Sequence, residues 1–290
     1  MKVLILGCGP AGLFAAHAAI QLDHDVQIIS KKRRSEMFGA QNLLQPVPGL
    51  TDDAPCFYVR YSLDGTWEGY RAKVYGEDLV YGENEAPSGV YPAWDIRAAY
   101  YRAWSLYHGD IEPTGGQGLG YSELYSILMQ RMPDVVVSTI PAPALCYLRG
   151  QHSFASAQIW TVGDAPERGI FAPMECDPNT ITYDGTKDRG WHRAANIAGY
   201  NTIEWPGGVK PPVENVSLVT KPIATNCDCM LKPNGHAETI GNIRFLRAGR
   251  YGAWDRLTHA HHAYWEVSNW LQKQERNVSK VRRFFGGGTS

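Results

Sequence analysis

A glycine-rich stretch near the start of the chain, GCGPAG beginning at Gly7, has the composition and spacing of a phosphate-binding turn. Gly7 allows a tight turn, Gly9 lets the backbone approach a ligand closely, and Gly12 allows a helix to pack against a strand. Pro10 suits the first turn of a helix, where its missing N–H costs no hydrogen bond. Unpaired N–H groups at a helix start attract anions, so the stretch predicts a dinucleotide diphosphate site that includes Ala11.

The sequence on either side of this turn predicts the strands and the helix that hold it in place. KVLIL is predicted to be a buried strand, residues 10–22 an alanine-rich helix, and VQII a second strand, which completes a β-α-β unit. Dinucleotide folds usually place an acidic residue at the end of the second strand, but this chain has Ser30 and Lys31 there. Serine could bond a ribose hydroxyl, whereas Lys31 and Arg34 could hold the 2′-phosphate of NADP or simply form a solvated basic loop.

The remaining pattern predicts further strands and helices. Asp64-Gly65 between two strand-like runs predicts a β-hairpin, and Asp95 is expected to cap a helix that ends near residue 107. YSELYSILMQRM predicts another helix, and DVVVSTIPAPAL a buried strand with a proline-marked turn. Strand-like pieces between 150 and 225 predict an antiparallel layer, and NIRFLRAGRYGAW predicts a strand and a glycine turn before a helix over about 255–272.

Three of these motifs carry a resemblance to a known family. GxGPAGLxAA resembles the opening of FAD-dependent flavoproteins of the two-dinucleotide-binding type. DVVVSTIPAPAL resembles the strand and turn of the amine oxidase and UDP-galactopyranose mutase branch, and FLRAGRYGAW resembles the segment with which that branch reaches the flavin. The resemblance implies an α/β fold in which a Rossmann-like FAD-binding domain carries an inserted small, mostly antiparallel β substrate region.

The same resemblance implies FAD as the cofactor and a set of contacts beyond the glycine turn. RSEMFGAQNL occupies the place of the loop beside the flavin ring, and ITYDGTKDRGWHRAANI resembles the mutase strand pair that brings an arginine, here Arg193, toward the substrate. The implied cofactor contacts outside the turn are Ser30, Lys31, Arg34, Gly39, Ala40, Gln41, Pro141, Gly249, Arg250, Trp254 and His259.

The final helix begins with WDRLTHAHHAY, where the mutases have acidic residues. His259 falls where a backbone N–H would meet the flavin carbonyl edge, and His262 shares its helix face. A histidine there could donate a proton near neutral pH, so Arg193, His259 and His262 are the candidate catalytic residues. The histidine pair also suggests a metal site, but the sequence places no third ligand, and we expect no metal.

Composition says little about partners. The 28 Lys and Arg residues balance 29 Asp and Glu, so a nucleic-acid partner is possible but unsupported by charge. No stretch approaches the roughly 20 apolar residues of a membrane-spanning helix. We expect a cytoplasmic protein that binds a small-molecule substrate. The chain also resembles small flavoproteins of bacterial viruses, which would place it in a host cytoplasm.

These motifs predict two regions and a function. The FAD-binding domain is predicted over 1–56, 120–150 and 240–275, the substrate region over 57–119 and 151–239, and a flexible basic tail over 276–290. The predicted activity is that of an FAD-dependent oxidoreductase that takes a hydride from an amine or alcohol at flavin N5. The alternatives are a reduced-flavin mutase, a non-catalytic FAD- or NADP-binding protein, and a flavoenzyme of viral DNA-base modification. The sequence leaves the oligomeric state, the electron acceptor and the catalytic base open.

Overall fold

The structure, a computed structural model, describes residues 1–31, 42–76, 88–114, 121–146, 151–162, 177–208, 210–214, 216–225 and 243–285. In chain order the elements are β1 (Lys2–Leu6), α1 (Pro10–Gln21), β2 (Asp25–Ser30), β3 (Phe57–Gly65), α2 (Trp67–Tyr75), β4 (Gly89–Ala93), α3 (Ile96–Tyr107), β5 (Ile111–Pro113), α4 (Tyr121–Arg131), β6 (Val135–Ser138), α5 (Ala142–Leu145), β7 (Phe154–Val162), β8 (Thr180–Gly185), β9 (Arg193–Ile197), β10 (Tyr200–Pro206), β11 (Val216–Thr225), β12 (Arg244–Arg247), α6 (Gly249–Ala253) and α7 (Ala260–Phe285).

The chain divides into two units. The first comprises Met1–Arg34, Arg102–Phe154 and Thr225–Ser290, and the second Ser35–Tyr101 and Ala155–Ala224. Residues 35–56, predicted for the FAD-binding domain, belong to the second unit, whereas the first unit also includes 102–119, 151–154, 225–239 and 276–290. Strand pairing explains the assignments of 35–56 and 102–119, because Leu43 pairs with Trp94 and β5 pairs with β2.

The first unit is built on a five-stranded sheet of order β12-β6-β1-β2-β5 in which neighbouring strands run parallel. Residues 3–6 of the central strand β1 are buried, as expected for a parallel strand covered on both faces. The chain leaves β1 toward β2 through α1, while β6 lies on the other side of β1. The predicted α/β, Rossmann-like class is confirmed by this topology.

Two helices of the first unit pack closely against each other. Residues 12–19 of α1 are buried, and α1 packs mainly against α7, where the Tyr264 hydroxyl donates to Gln21 Oε1 at 2.6 Å. The prediction for α7 was wrong about both ends, since the helix begins at Ala260 and includes most of the predicted tail. It starts late because the Asp255 carboxylate accepts hydrogen bonds from Leu257 N–H and the Thr258 hydroxyl, which holds a turn there.

The second unit contains a seven-stranded sheet of order β11-β7-β10-β9-β8-β3-β4. Four of its strand pairings are antiparallel and the β3–β8 pairing is parallel, so the predicted, mostly antiparallel region is confirmed. One apolar cluster includes Val59, Ile181 and Ile197 of the sheet, and another packs Tyr70 and Val74 of α2 over neighbouring strands.

The hairpin predicted at Asp64-Gly65 was wrong. β3 runs through Gly65 in parallel register with β8, and the chain then enters α2 instead of returning as a strand. Thr66 caps this helix, because its hydroxyl accepts a hydrogen bond from Gly69 N–H at 3.0 Å. A Cβ at Gly69 would lie 2.0 Å from Gly185 O, so glycine lets α2 lie directly on the sheet. In the part of the chain that the structure describes, no helix has both the length and the apolarity to cross a membrane.

Candidate functional site

The glycine turn lies at the carboxyl edge of the parallel sheet of the first unit. Leu6 at the end of β1 is in register with Ile29 of β2 and Ser138 of β6, and Ser138 is in register with Arg247 of β12. Open parallel sheets bind ligands outside this edge, where connections leave the central strand toward opposite sides. The structure therefore brings to one edge these predicted contacts: Gly7, Gly9, Ser30, Lys31, Pro141, Gly249 and Arg250.

Close backbone approaches make this turn depend on glycine. Gly7 has a φ of +106°, and a Cβ there would come 2.6 Å from the Thr139 hydroxyl oxygen. A Cβ on Gly12 would lie 2.1 Å from the Gly7 carbonyl oxygen, because α1 begins directly against the turn. Any side chain at Gly12 would therefore force the backbone apart.

The start of α1 carries no side-chain cap. Its N-cap residue is Gly9, Pro10 occupies the first turn, and that turn contains no acidic residue. The first N–H groups of a helix have no partner within the helix, and the helix dipole is positive there. The N-terminal start of α1 is thus able to bind an anion from a ligand, as the sequence predicts.

Ser30 has a contact that sequence reasoning missed. Its hydroxyl accepts a hydrogen bond from Cys8 N–H at 3.2 Å, which ties the glycine turn to the end of β2. The same hydroxyl retains its hydrogen for donation to an acceptor. Lys31 follows and is exposed, whereas Arg34, Gly39, Ala40 and Gln41 lie outside the described residues.

The turn after β12 also depends on glycine. Gly249 has a φ of +69°, and a Cβ there would come 2.5 Å from the Ala11 Cβ and 4.0 Å from the Ala263 Cβ. The starts of α1 and α6 and the first turn of α7 therefore meet at Gly249. Nearby, the buried Ser138 hydroxyl has no hydrogen-bond partner among the residues that the structure describes.

The other predicted contacts of this segment hold the loop between α6 and α7. The Arg250 guanidinium donates to Thr258 O at 3.2 Å and Arg256 O at 3.0 Å, and its Nη2 lies 3.5 Å from His259 Nδ1. Trp254 is buried and packs edge-on against Phe154. Roles for these residues toward a cofactor stay predictions.

Three histidines cluster at the start of α7. His262 Nδ1 accepts a hydrogen bond from His259 N–H at 3.2 Å, as a side chain in the first helical turn can do. Burial lowers the pKa of His262, and the positive charge of Arg250 lowers it further, although Asp255 opposes this. Burial also lowers the pKa of His261 to about 3, with a further contribution from the other two imidazoles. The sequence offered no indication that His261 is buried.

A carboxylic acid lies one turn further along α7. Burial raises the pKa of Glu266 to about 7, although the Gly249 N–H that hydrogen-bonds this side chain opposes the effect. Glu266 is thus a titratable group next to the glycine turn of α6, which sequence reasoning missed. In the described ranges no three His, Cys, Asp or Glu side chains are grouped so that they could hold a metal ion.

Arg193 lies in the second unit, in a row of residues aligned across four strands. Strand register places Tyr183 beside Arg193, Arg193 beside Glu204, and Glu204 beside Thr161. Glu204 is 1% exposed and forms an ion pair with Arg193. Arg193 is therefore engaged by a buried carboxylate, and its predicted role toward a substrate stays a prediction.

Two further groups lie close to the same carboxylate. Lys221 Nζ lies 2.6 Å and His192 Nε2 lies 3.3 Å from Glu204 Oε2. Burial alone would raise the pKa of Glu204, but Arg193 and Lys221 outweigh it and hold this pKa well below the usual range. Burial lowers the pKa of His192 to about 4, although Glu204 opposes this. The network thus contains two cations, one carboxylate and a neutral imidazole.

No protein-family model and no curated protein matches the chain. Among solved structures the chain is similar to a flavoprotein/dehydrogenase from Cytophaga hutchinsonii, with a TM-score of 0.47 and 11% identity over 100% of this chain and 80% of that chain. It is also similar to CtdE in complex with FAD and a substrate, with a TM-score of 0.48 and 14% identity over 92% and 79% of the two chains. Klebsiella pneumoniae HpxO, complexed with FAD and uric acid, matches with a TM-score of 0.43 and 10% identity over 92% and 78%.

Proposed function

We propose that the first unit binds FAD through its glycine turn and that the protein is an FAD-dependent oxidoreductase. The observation that carries the proposal is the glycine-dependent approach of Gly7 and Gly12 at the uncapped start of α1, located at the carboxyl edge of a parallel sheet. The second close contact at Gly12 and the absence of an acidic or capping side chain favour a site for an anionic dinucleotide.

The residues present suit such a cofactor. The N–H groups at the start of α1 would hold the diphosphate, and the Ser30 hydroxyl would donate to a ribose oxygen while it accepts from Cys8 N–H. Gly249 keeps the neighbouring backbone clear of side-chain atoms, and the Ser138 hydroxyl at the same edge, which has no hydrogen-bond partner among the described residues, is able to donate. Bound FAD would supply two-electron transfer, while these residues bind and orient it.

The test is an absorption spectrum of the purified protein, with the ligand identified after heat release. We expect flavin bands and released FAD. Gly12→Ala should lower FAD affinity by about 100-fold, equivalent to about 3 kcal/mol, because the added Cβ displaces the turn from the start of α1. Gly109→Ala is the matched control, since a Cβ at Gly109 has no neighbour within 4 Å in the described structure. Wild-type protein that cannot take up FAD but binds NADP would refute the proposal and direct attention to Ser30 and Lys31.

For the reaction, we propose two-electron oxidation of an amine or alcohol, which is what the family resemblance implies. Anaerobic mixing with panels of amines and alcohols should bleach the flavin spectrum when the substrate is present. Conversion of a nucleotide sugar by the dithionite-reduced protein, without net oxidation, would favour the mutase alternative instead. A flavin that no small donor reduces would favour a binding protein that acts through a partner. In the oxidoreductase, Arg193→Met should raise KM more than Arg193→Lys if this residue binds an anionic substrate group.

A further inference from the structure

The first turn of α7 contains a buried imidazole without a partner in the described part of the chain. His261 is 1% exposed, and neither its Nδ1 nor its Nε2 has a hydrogen bond to any residue that the structure describes. Burying a polar group without a hydrogen bond costs free energy, so such a group indicates a missing partner. The ring of His261 stacks on that of His259, with centroids 5.6 Å apart and planes at 5°, which places it at the N-terminal end of the helix.

The groups around this imidazole favour an anion as that partner. α7 has 26 residues, and the first backbone N–H groups of a helix lack intrahelical acceptors and carry the positive end of its dipole. The Arg250 guanidinium adds positive charge 3.5 Å from His259 Nδ1. His262 uses Nδ1 as an acceptor for His259 N–H, so its ring carries no proton on that nitrogen.

Among the residues that the structure describes, no carboxylate acts on the charge of His261. The groups that act on its charge are the imidazoles of His259 and His262, and both disfavour the protonated ring. Asp255 faces His262, and its carboxylate accepts hydrogen bonds within its own turn. Glu266 hydrogen-bonds Gly249 N–H. Without a bound anion, His261 is therefore neutral at physiological pH.

We propose that the first turn of α7 binds an oxyanion of the phosphate or carboxylate type and that His261 takes up a proton when the anion binds. The backbone N–H groups would hold one oxygen, and the imidazolium would donate to another. A neighbouring anion favours the charged form of an imidazole, so binding and protonation are coupled. The site goes beyond the proposed function, because it requires an oxyanion but no flavin chemistry. The oxyanion could be the diphosphate of the dinucleotide or a separate ligand.

Calorimetric titration with inorganic phosphate at pH 6.5, in two buffers of different ionisation enthalpy, counts the protons taken up. We expect about one proton per phosphate for the wild type, and for His261→Gln a loss of proton uptake with at least tenfold weaker binding. His108→Gln, which changes an exposed histidine, should behave as the wild type. Absence of phosphate binding, binding without proton uptake, or unchanged binding by a folded His261→Gln variant would overturn the site.

Ring-labelled histidine NMR of the wild type tests the same point without a variant, because phosphate should move the His261 resonances to imidazolium values. A second titration in the presence of saturating FAD separates the two sources of the oxyanion. If FAD takes up the same proton and abolishes phosphate binding, the diphosphate is the oxyanion, whereas retained phosphate binding indicates a separate ligand. If the protein binds FAD but neither FAD nor phosphate protonates His261, the oxyanion site is overturned and the FAD proposal stands. Phosphate binding by a protein that takes up no FAD overturns the FAD proposal alone.

Discussion

The buried imidazole of His192 should make the second unit sensitive to mild acid. His192 is 0% exposed, and burial lowers its pKa from 6.5 to about 4, with Glu204 opposing the effect. Between these two values the unfolded chain binds a proton that the folded chain does not, so stability falls as the pH drops below 6.5. Each pH unit in this window is worth about 1.4 kcal/mol, which gives a loss of about 2 kcal/mol at pH 5 and about 3 kcal/mol below pH 4.

Near pH 5 the pH dependence of the stability of the second unit is expected to come from His192. His192 is the only histidine in the sequence of the second unit. The pKa values of Glu204 and Asp184 are lowered from 4.5 and 3.8, so these carboxylates contribute mainly below pH 4.5. The loss between pH 7.5 and 5 should therefore disappear in His192→Gln, while His108→Gln in the first unit should not change it.

Native-state hydrogen exchange resolves the second unit from the first. Peptides from β8, β9 and β10 should exchange about 30-fold faster at pH 5 than at pH 7.5 after correction for intrinsic rates, which corresponds to the 2 kcal/mol. In His192→Gln the corrected rates at the two pH values should agree within about threefold. Wild-type protection that does not change between these pH values would refute the reasoning, as would an unchanged pH dependence in His192→Gln.

Three further predictions concern stability and are measured by urea unfolding of each variant. Glu204→Gln should cost about 3 to 5 kcal/mol because it removes a buried carboxylate that pairs with two partly buried cations, Arg193 and Lys221. Glu112→Gln at an exposed ion pair should cost less than about 1 kcal/mol, and similar costs for the two variants would contradict the burial of Glu204. Glu266→Gln should stabilise the first unit above pH 7 and have little effect at pH 5. The pKa of Glu266 is raised from 4.5 to about 7, so the unfolded chain loses this proton more easily than the folded chain, and stability falls as the pH rises between these values. An equal effect of the substitution at both pH values would exclude this explanation. Gly69→Ala should lower the free energy of unfolding, because the added Cβ would prevent α2 from packing on β8. Gly190→Ala should leave it unchanged, since a Cβ there has no neighbour within 4 Å in the described structure. Equal effects of the two substitutions would refute the close approach of α2 to β8.

Local patterns were sufficient for much of the first unit. The buried strand before Gly7, the helix from Pro10 and the strand that ends at Ser30 each follow from periodicity and turn residues within a short segment. The same reasoning failed at Asp64-Gly65. A hairpin and a strand followed by a capped helix share that dipeptide, and the choice between them depends on packing of α2 over β8.

The sequence alone was sufficient for the β-α-β unit at the start of the chain and for the position of the glycine turn between its first strand and helix, because these depend on neighbouring residues. The dinucleotide site at this turn stays a prediction. Which distant groups meet followed from the fold and not from the sequence. The fold brings the Ser30 hydroxyl to Cys8 N–H and Gly249 against Ala11, and it buries His261 in a helix start where its imidazole has no hydrogen-bond partner among the described residues. The physical reason is that register, burial and charge environment arise from strands and helices far apart in the chain, and no spacing within one segment encodes them.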